Sequence, residues 1–343
     1  MGNLKTNKNK IKSANQSSLE QDLIRLITAP WRAQCLYVAV KLEIPDLISR
    51  GIKDDSSLSS YTGVSEDRIK RLMRVLVTNR LFKENQWYQY DNTDASLKLM
   101  NRGDSMRDTI LLYGGEMYHC WGRLDVALRS ERSGFEIEYS QSFYAYLERK
   151  NEVARRFQRT LQSRSEIFEA IPHLIDFSGS LFVDIGGGSG DLIRVILDAA
   201  SSAKAILLDQ ASALAGARNN LGDLVNSARV SLIQGDMFDN LPKGADVYFL
   251  SRVLGDLGDS EASRLLDNCR KAVCRNARLF IIEQLISDSN PTEIAALWDL
   301  HLMMMCNGRQ RTMSELEVLL DENGFNLERV ISLPLSMSLL IVS

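Results

Sequence analysis

Histidine is scarce in this chain: His119, His173 and His301 are the only three in 343 residues. So few imidazoles leave little from which to assemble a histidine-rich metal centre. The five cysteines, Cys35, Cys120, Cys269, Cys274 and Cys306, are scattered and form no C-x-x-C pair. That argues against a disulfide framework or a cysteine-built zinc site and fits a reducing cytoplasm. No carboxylate spacing marks a magnesium site either, so no metal is expected. Long apolar runs are also missing, and nothing approaches the ~18 residues of a membrane span. The N-terminus lacks the apolar core of a signal peptide, and no membrane partner is expected. A net charge of −3 supplies no overall pull toward nucleic acid or anionic lipid. What remains is 45% apolar and 25% charged, the balance of an ordinary globular protein long enough for two domains.

Residues 1–16 are rich in Lys and Asn, contain no acid and offer almost nothing to bury. They read as an unfolded tail, with folding expected from residue 19. Met1-Gly2 followed by Thr6 fits an N-myristoylation pattern, which is short enough for chance to account for it. From 19 to 100 the pattern is helical. Leu23, Ile24, Ile27, Leu36 and Val40 recur at helix spacing, and Pro45 breaks the register after Ile44. Ser65-Glu66-Asp67 opens a second helix carrying Ile69, Leu72, Met73, Leu76 and Val77. Trp87-Tyr88-Gln89-Tyr90 alternates around Lys83-Glu84-Asn85 like a small wing. Helices followed by a two-stranded wing make a winged helix. The block 101–178 reads as mostly helical and aromatic-rich. Most of its rings are expected to pack in the core, with one or two lining an apolar ligand pocket.

From 179 to 343 short apolar runs alternate with helical segments: 181–185, 205–209, 230–234, 247–250 and 279–283, with 332–342 as a terminal hairpin. Such alternation predicts a parallel sheet with helices on both faces, an α/β doubly wound, Rossmann-like domain. The sharpest motif follows the first of these strands, in Asp184-Ile185-Gly186-Gly187-Gly188-Ser189-Gly190. Glycines there let the backbone turn tightly and approach a nucleotide at the strand end. The dinucleotide fingerprint fits poorly, because its third glycine position holds Asp191. A pattern of Asp184, Gly186, Gly188 and Gly190 fits better. Asp209 ends the second strand, where a carboxylate accepts hydrogen bonds from ribose hydroxyls. Asp236, in Gly235-Asp236-Met237-Phe238, follows the third, placed to accept from an adenine amino group with Met237 against the ring. Three contacts at three successive strand ends form a constellation.

These residues make the chain resemble the plant- and bacterial-type small-molecule O-methyltransferases, such as caffeic acid and hydroxyindole O-methyltransferases. The resemblance extends through Phe157, Arg164-Ser165, Leu241 to Asp246, Arg252-Val253-Leu254, Asp299-Leu300-His301 and Arg311-Thr312. It implies a class I methyltransferase domain behind a winged-helix dimerisation domain, and a homodimer. It also implies S-adenosylmethionine held by Asp184, Gly186, Gly188, Asp209, Asp236, Met237 and the Ser251-Arg252 region.

Two departures bear on the chemistry. Family members carry His-Asp-Trp after the fourth strand, the histidine being the general base, where this chain has Gly255-Asp256-Leu257. Of the two acids flanking that histidine, one matches Glu283 and the other is Gln310. Candidates for catalysis are therefore Asp256, Glu283, His301 and His119, the histidines being equally well explained by packing. Placement behind the methyl group supplies much of the rate of methyl transfer, and an acidified hydroxyl, a nitrogen, a sulfur or an electron-rich carbon needs little help from a base. The expected activity is methyl transfer to a small aromatic or polyketide-like acceptor. The competing expectation keeps the cofactor without moving its methyl, as a hydroxylase, cyclase or pericyclase. A third, nucleic-acid binding through Arg68, Lys70, Arg71, Arg74 and Arg80, is weaker, because these side chains read as the solvated face of an amphipathic helix.

Overall fold

The computed structural model describes residues 18–103, 105–162, 165–274 and 276–343. The expected tail, the myristoylation pattern and Arg164 lie outside the described residues. The chain divides into two compact units, Met1–Gly115 and Glu116–Ser343, so the division falls inside the helical block 101–178.

In the first unit, residues 18–27 and Ala29–Lys41 are helical, and Pro30 sits in the first turn of the second helix, where a missing N–H costs nothing. Glu43, at a φ of 57°, turns the chain into the helix Ile44–Ser49. The amphipathic helix Glu66–Thr78 buries Ile69, Met73 and Leu76 against Ile44, Leu58 and Phe82. Strands β1 (Phe82–Glu84) and β2 (Tyr90–Asn92) pair antiparallel as the wing. Trp87 and Tyr88, expected in the second strand, stand exposed in the turn instead. The Asn85 side chain accepts hydrogen bonds from the Trp87 and Gln89 N–H groups and holds that turn open. Leu19, Leu23, Ile24, Leu26, Ile27 and Trp31 are all exposed.

The second unit starts with short helices between Glu116 and Leu174 and continues into a seven-stranded sheet. Its strands are β3 (Leu181–Ile185), β4 (Lys204–Asp209), β5 (Val230–Gln234), β6 (Val247–Ser251), β7 (Arg278–Gln284), β8 (Leu327–Ser332) and β9 (Met337–Val342). They lie in the order β5-β4-β3-β6-β7-β9-β8. The first five are parallel, and β9 runs antiparallel between β7 and β8. Continuous apolar runs are required because helices cover both faces. Tyr248 and Leu340 bury on one face with Leu265 and Leu316, while Phe249 and Leu339 bury on the other with Ile193 and Leu214. The chain steps outward from β3 to β5 and then returns to β6, so the order reverses between β3 and β6. In open α/β sheets the crevice at such a reversal, beyond the carboxyl ends of the strands, takes the ligand. No described helix is long and apolar enough to cross a membrane.

Candidate active site

The glycine loop sits at this reversal. Gly186 and Gly188 have φ values of 70° and 62°, in the left-handed region that favours glycine. A Cβ at Gly187 would lie 2.2 Å from Asp184 Oδ2, so only glycine packs there. Asp184 is fully buried, neither carboxyl oxygen has a hydrogen-bond partner among the described residues, and burial pushes its pKa up to about 7. Asp209, at the end of β4, accepts from the Gly188 N–H at 2.7 Å and from the Gln210 N–H at 2.7 Å. These bonds orient its carboxylate toward the loop, while burial raises its pKa. Asp236 accepts from the Phe238 N–H at 2.9 Å and stands at a cleft of about 780 Å³ that Tyr144, Glu148, Arg149, Gln210 and Gly235 also line. Met237 is half-buried against the core face that holds Tyr248 and Leu265. At the end of β6, Ser251 Oγ is buried without a partner among the described residues. Arg252, with a φ of 57°, donates from Nη1 to the Leu161 carbonyl at 3.5 Å and lies over the Phe168 ring.

A second cluster lies just beyond β6. The Gly255 N–H donates to Glu283 Oε1 at 3.2 Å, and a Cβ on Gly255 would lie 3.2 Å from Glu283 Oε2 and 3.6 Å from Leu302 Cδ1. Any side chain at position 255 would therefore project onto Glu283. Asp256 accepts from the Tyr144 hydroxyl and, at 3.8 Å, from the Cys306 thiol. Burial pushes Asp256 up to about 6 and Glu283 up to about 7. Buried Arg311 fastens this loop by donating to the Leu254 and Leu257 carbonyls at 2.7 and 2.9 Å and to Asp259. Gln310 donates its backbone N–H to Asp299 at 2.8 Å. Its side-chain Oε1 is buried with no partner among the described residues.

The structure thus brings Glu283 and Asp256 together around Gly255, with Leu302 of the helix Glu293–Cys306 against them. His301, on that same helix, stacks on Trp121 at 6.1 Å and meets Trp298 edge-on at 5.3 Å. Burial pulls its pKa down to about 4, so the ring is neutral at pH 7. His119 stands apart, exposed, with Nδ1 3.3 Å from the Tyr139 hydroxyl. Tyr144 escaped sequence reasoning as anything but a packing ring. It lies 112 positions from Asp256, and no periodicity connects them.

Residues 121–326 match the model of the O-methyltransferase domain, and residues 24–102 match that of the O-methyltransferase dimerisation domain. The chain belongs to the O-methyltransferase family. It is 41% identical to the phenazine-1-carboxylate N-methyltransferase of Pseudomonas aeruginosa, covering 96% of this chain and 99% of that one. Among solved structures it is similar to the pyocyanin biosynthetic protein, at 41% identity and a TM-score of 0.76 over 95% of this chain and 98% of that one. It also resembles mitomycin 7-O-methyltransferase, with a TM-score of 0.91 at 27% identity over 96% and 99% of the two chains. The methyl donor of this methyltransferase family is S-adenosylmethionine. Buried polar atoms without partners, on Asp184 and Ser251, beside a loop that only glycine can form, are the features a nucleotide-sized polar ligand would complete.

Proposed function

We propose that this chain methylates a nitrogen of a planar aromatic acceptor, a small secondary metabolite, without a general base. Gly255 carries the reading: the residue that faces Glu283 has no side chain. When bound, S-adenosylmethionine supplies an electrophilic methyl group on a sulfonium. A pyridine-type ring nitrogen offers a lone pair and no proton, so nothing has to be removed. A phenol, with a pKa near ~10, is mostly protonated at neutral pH, and a base typically contributes about 10²–10⁴-fold. The methylated ring carries a positive charge, and the carboxyl groups of Asp256 and Glu283 stand where they balance it. Neutral His301, with Trp121 and Trp298, offers an aromatic wall without an opposing charge. The name of the Pseudomonas aeruginosa relative, an N-methyltransferase of a phenazine carboxylate, supports the same reading. Hydroxylase, cyclase or pericyclase chemistry is not favoured, because the similar proteins are named as methyltransferases.

In this reading Asp209 holds the ribose and Asp236 the adenine, with Met237 against the ring. Asp184, Gly186, Gly188, Ser251 and Arg252 shape the rest of the donor site. Residues 19–100 serve dimerisation, 101–178 contribute Trp121 and Tyr144 to the acceptor side, and 179–343 bind the donor. The exposed apolar side chains from Leu19 to Trp31 fit a surface that a second copy covers. Five free cysteines fit a cytoplasmic location.

The test incubates purified protein with S-adenosylmethionine and phenazine-1-carboxylate, and in parallel with a phenolic acceptor, followed by mass spectrometry. S-adenosylhomocysteine accumulating with an N-methylated product is the expected result. Unconsumed donor beside an isomeric product, or one heavier by an oxygen, would overturn the reading.

A further inference from the structure

One polar group beside the glycine loop has no task in the site described so far. Gln158 lies on the helix Asn151–Gln162, and its Oε1 reaches over the loop: a Cβ built on Gly188 would lie 3.0 Å from it. That oxygen is buried and has no hydrogen-bond partner among the described residues. A buried carbonyl without a donor loses its bonds to water and gains nothing in return, so it marks a place where a donor belongs.

The donors of S-adenosylmethionine are few. Two ribose hydroxyls face Asp209 and the adenine amino group faces Asp236, in the reading given above. The ammonium of the methionyl end is the donor that neither Asp209 nor Asp236 takes. It carries three N–H groups and a full charge, and a hydrogen bond to a charged donor is stronger than one between neutral groups. The Gly188 N–H, which donates to Asp209 at 2.7 Å, is itself a donor and offers the ammonium nothing.

We infer that Gln158 is a further cofactor-binding residue whose Oε1 accepts a hydrogen bond from the methionyl ammonium. The glycine at 188 then has a second purpose beyond its backbone conformation. A side chain there would press on the amide that receives the amino-acid end. The inference rests on the reading of this site as one for S-adenosylmethionine.

The experiment is calorimetric titration of the full-length protein and two variants with S-adenosylhomocysteine and with 5′-methylthioadenosine, which lacks the amino-acid end. Gln158→Leu is expected to raise the Kd for S-adenosylhomocysteine about tenfold while moving that for methylthioadenosine less than about twofold. Gln158→Glu keeps the acceptor and adds a negative charge, so it is expected to bind S-adenosylhomocysteine at least as tightly as the native protein. The Glu variant decides by sign alone if the Leu variant fails to fold. Equal losses for both ligands, or no loss for either, would overturn the inference. So would a Glu variant that weakens S-adenosylhomocysteine alone, since the amide would then be donating to the carboxylate. A native protein that binds neither ligand would overturn the reading of the site itself, and the inference with it.

Discussion

The two halves of the site are built on different principles. On the side proposed to hold the donor, from β3 to β5, the work is done by backbone conformation and strand-end carboxylates: Gly186, Gly187, Gly188, Asp209 and Asp236. On the side proposed for the acceptor, from Gly255 to Asp259 and from Gly308 to Arg311, it is done by packed side chains that meet across long stretches of sequence. The first kind of site meets demands that a nucleotide makes of any chain that binds it. The second kind is free to change with the acceptor, and Gly255 and Gln310 stand in that half.

The comparison breaks most sharply at Asp209. Asp209→Ala removes the proposed ribose acceptor and the partner of the Gly188 N–H together. S-adenosylhomocysteine binding by calorimetry is expected to weaken by about a hundredfold, as two hydrogen bonds to a charged group are lost. An unchanged Kd would show that the donor side is not organised around this carboxylate. On the other half, Gly255→His places an imidazole against Glu283. It is expected to raise the rate with a phenolic acceptor at least about tenfold, toward the range a general base supplies. The same variant is expected to slow transfer to a proton-free ring nitrogen, because the added ring fills the space beside Leu302. Loss with both acceptors would show that position 255 governs volume rather than protons.

Smaller effects sharpen the contrast. The Tyr144 hydroxyl favours the ionised form of Asp256, so Tyr144→Phe is expected to raise the pKa of Asp256 from about 6. The acid limb of kcat/KM then moves to higher pH, with little change on the alkaline side. A pH profile that superimposes on the native one would remove Asp256 from the reaction. Stability carries a further signature. Burial raises Asp184 to about 7, Asp256 to about 6 and Glu283 to about 7, above the ordinary carboxyl values of 3.8, 3.8 and 4.5. Between the unfolded and folded values the folded chain binds more protons than the unfolded one, so stability of the ligand-free protein falls as pH rises through that window. Glu283→Gln deletes one of these contributions and is expected to lose less stability between about pH 5 and about pH 8 in denaturant titrations. An identical loss would mean that Glu283 titrates normally.

The same contrast explains what could be read from the sequence. The parallel strands were legible one by one, as apolar runs bounded by turns, whereas the terminal hairpin expected at 332–342 begins earlier, with the mostly exposed edge strand β8 at Leu327–Ser332. The helix Glu66–Thr78 followed from its spacing and its Ser65-Glu66-Asp67 start. The wing was displaced, since the hydrogen bonds of Asn85 that hold Trp87 and Tyr88 in the turn are a side-chain event without periodicity. The glycine loop and its acids were visible because each residue type answers one local requirement. The contacts of Tyr144, Cys306 and Gln158 were not, because each joins elements that only the folded chain brings together. His119 and His301 looked alike as sequence candidates, and the fold separates them into an exposed ring and a buried one.

The position of β9 between β7 and β8 bears on how the protein is made. As the ribosome extends the chain, β8 emerges before its partner strand β9, and β7 keeps a bare edge until residues 337–342 are clear of the exit tunnel. A nascent chain held just short of that point would offer two unpaired strand edges at once, the kind of surface that neighbouring polypeptides on a polysome join.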